Sequence, residues 1–497
     1  MNNTQPSDKL IDLGGVFDST YSQLPEPLFE RVLPTPVSHP SLIALNQPLA
    51  TRLGLDADRL ASSDGVSILA GNALAQGSVP IATAYAGHQF GNWVPQLGDG
   101  RAVLIGERVD EAGLRHEIQL KGAGRTSWSR GGDGRCALGP AIREYVLSEA
   151  MQALGVPTTR ALAVLQTGDK VLRESLLPGA IVVRVARSHV RVGTFQYFTA
   201  RGDTDTLHSL MAHMIENHFA AVAEAERPAL ALLDEVVKRQ AELVAQWMSV
   251  GFIHGVMNTD NCCIVGDTID YGPAAFMDEF SSHKVFSSID VQGRYAWGNQ
   301  PQMAHWNLSN LAQCLLPLID EDMDVALPLA QNSVDAFATC YKSAWATKLS
   351  SKLGLPDASG AELGHRYLGL MEEAGADFTQ SFTALTDHSK AQALFTLAQT
   401  QLGSDFEQWW ADRDAALRMA NVTDEDAHAC MAANNPVRIP RNHRVEAVIQ
   451  SAVSGDMTPL HELIAALEHP YTEDERYAEY AQPPQSDERV THTFCGT

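Results

Sequence analysis

His254-Gly255-Val256-Met257-Asn258-Thr259-Asp260-Asn261, followed by Asp270-Tyr271-Gly272-Pro273, is the stretch on which the reading of this chain turns. Between the two pieces, residues 262–265 and 268–270 have the pattern of two short strands turning at Gly266-Asp267. A hairpin of that size brings Asn261 and Asp270 to neighbouring strand ends. An amide oxygen and a carboxylate placed there are hard ligands suited to Mg²⁺, which completes its shell with water and substrate phosphate. Taken alone, Asp and Asn in such a stretch are more often ordinary turn formers.

The spacing sharpens the reading. Protein kinases carry a His-Arg-Asp loop with an Asn seven residues beyond the His, then an Asp-Phe-Gly metal site. Asn261 lies seven residues after His254, and Asp270-Tyr271-Gly272 stands where Asp-Phe-Gly would. The departure is Val256, at the position of the kinase catalytic Asp. A valine cannot take the proton of an acceptor hydroxyl, so either the chain is inert or another group is the base. Asp260 is the candidate.

Working outward, the N-terminal part supplies matching pieces. Residues 101–107 and 116–121 read as strands around a polar turn, and Lys121 closes the second. Pro140 suits the first turn of a helix running to Ala153, on which Glu144 would partner Lys121. Surface Lys-Glu pairs are common, so this pair alone decides little. Gly98 and Gly100, ahead of Arg101, and the second loop Gly131-Gly132-Asp133-Gly134-Arg135 have the flexibility to approach phosphates; each equally suits an ordinary turn. Arg184 interrupts an apolar strand at 181–185 and demands an anionic partner, either phosphate or an internal carboxylate. Arg191 poses the same choice.

After about residue 205 the periodicity becomes helical. Leu210, Met211, Met214 and Ile215 share a face, as do Leu232, Leu233, Val236 and Val237 on a helix from Pro228 to about Val250, with Gly251 as its stop. Helical patterns return at 306–318, 326–346 and 391–402. The expectation is an α+β chain: a sheet-rich N-terminal lobe (1–200), a helix-rich C-terminal lobe (201–480) holding the 254–273 loop, and a mobile polar tail (481–497) with Cys495.

Composition narrows the classes. The chain has 497 residues, 45% hydrophobic and 19% charged, which excludes wholesale disorder. With 36 Lys and Arg against 60 Asp and Glu, the net charge of −24 argues against nucleic acid as partner, although a few focused cations still hold a polyphosphate. No run of apolar residues is long enough for a membrane span. Seven scattered cysteines, no zinc spacing and no signal-peptide pattern suggest a reducing, cytoplasmic home.

Together with Tyr85-Ala86-Gly87-His88-Gln89-Phe90-Gly91-Asn92-Trp93, these residues resemble the selenoprotein O family. The matching blocks include Leu120-Lys121-Gly122-Ala123-Gly124-Arg125-Thr126, Ile142-Arg143-Glu144 and Gly155-Val156-Pro157-Thr158-Thr159-Arg160-Ala161-Leu162, dense from Phe29 to Tyr295. The resemblance implies a protein-kinase-like two-lobed fold that moves AMP from ATP to Ser, Thr or Tyr hydroxyls of protein substrates. It implies ATP bound in a flipped orientation, with its α-phosphate at the reacting centre. By the same resemblance, Gly98, Gly100, Arg101, Lys121, Asp133, Gly134, Arg184 and Arg191 bind the nucleotide. Asp260 is then the proton acceptor, and Asn261 and Asp270 hold Mg²⁺ or Mn²⁺. Cys495 fits a cysteine or selenocysteine that the family keeps near the C-terminus, or is a stray thiol. Gly139-Pro140 departs from the family's usual Arg ahead of the Ile-Arg-Glu block. Two other functions compete: a kinase transferring the γ-phosphoryl group, which Val256 opposes, and an inert nucleotide-binding scaffold.

Overall fold

The computed structural model describes residues 7–396 and 400–494. Its N-terminal region is built on an eight-stranded antiparallel sheet. In spatial order the strands are Phe29–Arg31, Ile81–Thr83, Ala102–Val109, Arg115–Lys121, Leu176–Ala186, Arg160–Leu172 and Ser41–Leu45, with Cys136–Ala137 pairing against Leu176–Ala186. The strands at 101–107 and 116–121 form as their alternation suggests. The apolar runs around 162–165 and 181–185 are the buried middles of one long hairpin.

Alternation along Arg115–Lys121 sorts the side chains to two faces. Ile118 and Leu120 join Val183 and Val185 in an apolar core covered by residues from Gln47–Arg52 and Ser63–Leu69, two short helices. Glu117, Gln119 and Lys121 point the other way and are buried too. Their face is covered by the Leu138–Ala153 helix and the helical region, so polar groups lie at depth and must find partners there.

That helix begins with Pro140 in its first turn, as expected. Gly139 has a packing reason: a Cβ there would lie 3.0 Å from Ile449 Cγ2 on the Asn442–Val453 helix. Arg143 reaches across to Glu446 of the same helix and donates to the Ala274 carbonyl (3.2 Å). Glu144 is thereby presented to the sheet by a helix braced from behind.

The remainder is helical. Pro228–Ser249 buries the Leu232, Leu233, Val236 and Val237 stripe, and Gly251 follows in the left-handed region (φ 70°). The patterns at 306–318 and 326–346 are the middles of Gln300–Ile319 and Met323–Lys352. The pattern at 391–402 falls on two helices, His388–Thr396 and Thr400–Met419, and residues 397–399 lie outside those described. The segment expected to be a mobile tail is tied to the body through buried Thr493. Its N–H donates to Phe286 O (2.7 Å), its carbonyl accepts from Ser288 N (3.0 Å), and its hydroxyl donates to Pro273 O (2.5 Å). Cys495 lies outside the described residues. No described helix is long and apolar enough to cross a membrane.

Candidate active site

Strand register places the first cations. Lys121 lies opposite Val182 and Gln119 opposite Arg184, so Lys121 and Arg184 share a face two residues apart. Between them the helix inserts Glu144. Lys121 Nζ donates to Glu144 Oε2 (2.6 Å) and to Asp270 Oδ1 (2.6 Å). Arg184 donates from Nε to Glu144 Oε1 (2.7 Å) and from Nη2 to Asp270 Oδ1 (2.7 Å). Arg191 Nη1 stands 3.6 Å from Asp270 Oδ2. Asp270 adopts φ 62°, a left-handed conformation that side chains other than glycine rarely hold, and it is the pivot that carries its carboxylate into this cluster. Burial pushes the Asp270 carboxyl up, but the charges of Lys121, Arg184 and Arg191 overcome it and hold the group well below the usual carboxylate range. Arg191 Nη2 also stands 3.9 Å from Asp99 Oδ1, so three cations face three carboxylates, Glu144, Asp270 and Asp99, and their charges balance within the cluster.

Asp260 sits beside this cluster on the 3-10 turn Thr259–Asn261. Arg191, stacked 4.5 Å over the Tyr85 ring, donates to the Asp260 backbone carbonyl (3.0 Å). Asp260 is 8% exposed, and its Oδ1 has no hydrogen-bond partner among the described residues. Burial lifts its carboxyl to about 6, with Arg191 opposing. Val256 is buried and its side chain offers no polar atom; its carbonyl accepts from Asn261 Nδ2 (2.9 Å). That bond orients the Asn261 amide, whose oxygen accepts no hydrogen bond among the described residues.

Above the turn lies a small hairpin, Gly87–Gln89 paired with Asn92–Val94. His88 N–H donates to Thr259 Oγ1 (2.8 Å) and Phe90 N–H to Asn258 Oδ1 (2.9 Å). Tyr295 OH donates to the same Asn258 oxygen (2.8 Å). Gln89 Nε2 donates to Asp260 Oδ2 (3.4 Å). Sequence reasoning saw residues 85–93 only as a shared block and assigned Gln89 no part.

The glycine-rich loops are explained first by packing. A Cβ on Gly98 would lie 2.1 Å from the Trp128 ring, and one on Gly100 2.7 Å from the Trp128 carbonyl. Between them Asp99 accepts from Thr83 N–H (3.0 Å), Thr83 Oγ1 (2.7 Å) and Gln119 Nε2 (3.3 Å), bracing the loop to the sheet. The Arg101 carbonyl accepts from Gly122 N–H (2.7 Å) at the strand bearing Lys121. Gly134 packs on the Gly124 backbone, where a Cβ would come within 2.1 Å, and Asp133 is ion-paired with Arg173 (2.8 Å).

The expected 262–270 hairpin does not form. Cys263 bridges instead to Arg191 and Thr268 to Thr158, so each half pairs with the sheet's outgoing and incoming connections rather than with the other. The chain still turns at Gly266, whose N–H donates to Cys263 O (3.1 Å). Among the described residues, no group of three His, Cys, Asp or Glu side chains is placed to hold a metal.

The family described as protein adenylyltransferase SelO matches residues 13–468. A protein nucleotidyltransferase YdiU of Rhodopseudomonas palustris (strain HaA2) is 52% identical over 494 residues, covering 97% of this chain and 99% of the relative. The protein of the same name from strain BisB18 is 53% identical over 490 residues, and that of Bradyrhizobium diazoefficiens 52% over 488, each at the same coverage. The lysine, glutamate, arginines and left-handed aspartate gathered here thus belong to a chain that is a member of the SelO protein adenylyltransferase family.

Proposed function

We propose that this enzyme transfers AMP from ATP to Ser, Thr or Tyr hydroxyls of protein substrates, on a kinase-like frame of two lobes (1–200 and 201–480). The observation that carries the reading is the exchange at the reacting centre. Valine occupies the kinase base position, while a buried carboxylate with an open oxygen, Asp260, lies four residues on. In the proposed reaction the acceptor hydroxyl gives its proton to Asp260 as its oxygen bonds to the α-phosphorus. The bond from that phosphorus to the bridging oxygen breaks, and pyrophosphate leaves with the electron pair.

Lys121, Arg184 and Arg191 supply the donors for the phosphates, held in place by Glu144, Asp270 and Asp99. The loops at Gly98, Gly100 and Arg101 and at Asp133 and Gly134 complete the proposed nucleotide site. Asn261 and Asp270 fit a divalent cation such as Mg²⁺ or Mn²⁺ that takes most of its shell from water and phosphate. The Asn261 oxygen accepts no hydrogen bond among the described residues, and Asp270, nine residues on, stays ionised. Such a cation, when bound, neutralises phosphate charge.

The deciding experiment supplies ATP labelled separately at the α- and γ-phosphates to the full chain with protein acceptors. Incorporation of α-label alone is the expected outcome. Incorporation of γ-label would make the enzyme a kinase, and incorporation of neither would make it a scaffold.

A further inference from the structure

Asp260 presents two chemically equivalent oxygens in unequal surroundings. Oδ2 accepts from Gln89 Nε2, and Oδ1 accepts from nothing although it is buried. A buried acceptor without a donor costs stability, and such groups persist where a ligand is meant to meet them. Resting on the adenylyl-transfer reading above, we propose that Gln89 is a positioning residue: its amide on Oδ2, with Gly87 backing Oδ1, holds the Asp260 carboxylate in register with the acceptor hydroxyl.

The rest of the hairpin is arranged to make that hold rigid. His88 and Phe90, the neighbours of Gln89, are each fixed by a backbone N–H to the Thr259 or Asn258 side chain, on the residues immediately before Asp260. Phe90 takes a left-handed φ of 51°, a conformation kept only where its surroundings impose it. Its ring lies against Tyr295 (5.2 Å between centroids), the residue whose hydroxyl also holds Asn258. On the far side, Gln196 Nε2 meets His88 Nδ1 (3.0 Å) and Asn310 Oδ1 (3.0 Å), which ties the hairpin to two helices. Gly87 leaves no free space: a Cβ there would lie 3.0 Å from Asp260 Oδ1. The carboxylate is therefore confined by Gly87 on the Oδ1 side and steered by Gln89 on the other. At 3.4 Å the Gln89 bond is long, as contacts in ligand-free catalytic sites often are before the substrate complex tightens them.

A carboxylate released from this hold can rotate so that neither oxygen points steadily at the acceptor, and misplacements on the ångström scale cost about 10²-fold in rate. The proton still goes from the acceptor hydroxyl to Asp260, and pyrophosphate still leaves; only the fraction of time spent in register changes. Among the described residues the Gln89 side chain hydrogen-bonds to neither the phosphate cations nor Asn261, so nucleotide binding should be spared.

The test compares Gln89→Met, close in shape but without a donor, and Gln89→Glu, which sets a carboxylate against Asp260. Each is made in the full chain, alone and combined with Asp260→Ala. Turnover of α-label, KM for ATP and thermal stability are measured for all. Expected are a fall in kcat of about 10–100-fold for Gln89→Met and a larger one for Gln89→Glu, with KM for ATP within about twofold. In the Asp260→Ala background neither change should lower the residual rate further, because there is no carboxylate left to position. Normal kcat in both variants, a rise in KM matching the fall in kcat, or a further full loss in the Asp260→Ala background would each overturn the assignment. A wild-type protein that transfers no α-label would overturn the adenylyl-transfer reading itself, and this proposal with it.

Discussion

At the level of single residues, the Glu144 partner of Lys121 was legible, whereas its second partner, Asp270, and the partners of Asp260 were not. A lysine closing a strand and a glutamate on the next helix are separated by only 23 residues, a distance over which secondary structure alone fixes the geometry. Gln89 and Asp260 are 171 residues apart, and nothing in either segment announces the other. Both cations of uncertain partner, Arg184 and Arg191, proved to be held by internal carboxylates and carbonyls, which does not disqualify them from meeting phosphate. Two variants test the site. Asp260→Ala should lower turnover by about 10²–10⁴-fold while leaving ATP affinity near normal, since a base acts in the transition state and not in the ground-state complex. If Asp260 merely stabilises its turn, the same variant will melt early and turn over normally. Asp270→Ala removes the one carboxylate that meets all three cations, so transfer should vanish and metal-dependent nucleotide binding should weaken sharply. Titration of nucleotide with and without divalent cation reads this out; unchanged metal dependence would remove Asp270 from the metal site.

At the level of elements, periodicity served well where one segment carries its own pattern. The helix beginning at Pro228 and the strands around Lys121 follow from side-chain spacing because burial of one face is enough to specify them. The 262–270 hairpin failed for the complementary reason: short strands take whichever edge the fold offers, and here the offered edges were Arg191 and Thr158. The strand Arg115–Lys121 shows a subtler limit. Glu117, Gln119 and Lys121 alternate along one face and are buried, and only the position of the Leu138–Ala153 helix reveals that. The Gly87–Gln89 hairpin gives the element-level prediction. In Gly87→Ala the new Cβ would meet Asp260 Oδ1 and Thr259 Oγ1 at 3.0 Å, so the hairpin or the turn must shift by a few tenths of an ångström. Turnover should fall about tenfold or more, with little change in melting temperature. Gly369→Ala is the control. It is an exposed helix position with nothing within 4 Å of the new Cβ, and it should gain about 0.4–1 kcal/mol and keep full activity. Equal activity in the two variants would mean that the hairpin does not constrain the base.

At the level of the whole molecule, the sheet-rich and helical regions are joined through residues 187–191, and that connector is latched to the sheet by one carboxylate. Glu117 accepts from Ser188 Oγ (3.2 Å) and His189 N–H (2.7 Å), and its Oε2 lies 2.7 Å from His189 Nδ1, all buried. Burial lifts the Glu117 carboxyl from 4.5 to about 7, and burial together with the charges of Arg184 and Arg191 drops the His189 imidazole from 6.5 to about 3. The folded pair therefore carries its single proton on Glu117 between pH 4.5 and 6.5, whereas the unfolded chain carries its single proton on the histidine. Stability changes with pH only where the two states bind different numbers of protons, so the intact pair contributes no slope in that window. Each single variant should uncover the slope of its partner. In His189→Leu only Glu117 remains. Its raised value makes stability present below pH 4.5 disappear as pH rises to 7, by on the order of 3 kcal/mol. In Glu117→Gln only His189 remains, and its lowered value makes stability grow as pH rises toward 6.5. Melting temperatures measured at pH 5 and pH 7.5 should then move in opposite directions in the two variants, with the wild-type change lying between them. Variant profiles that both parallel the wild type would show that this latch does not place the proton on Glu117.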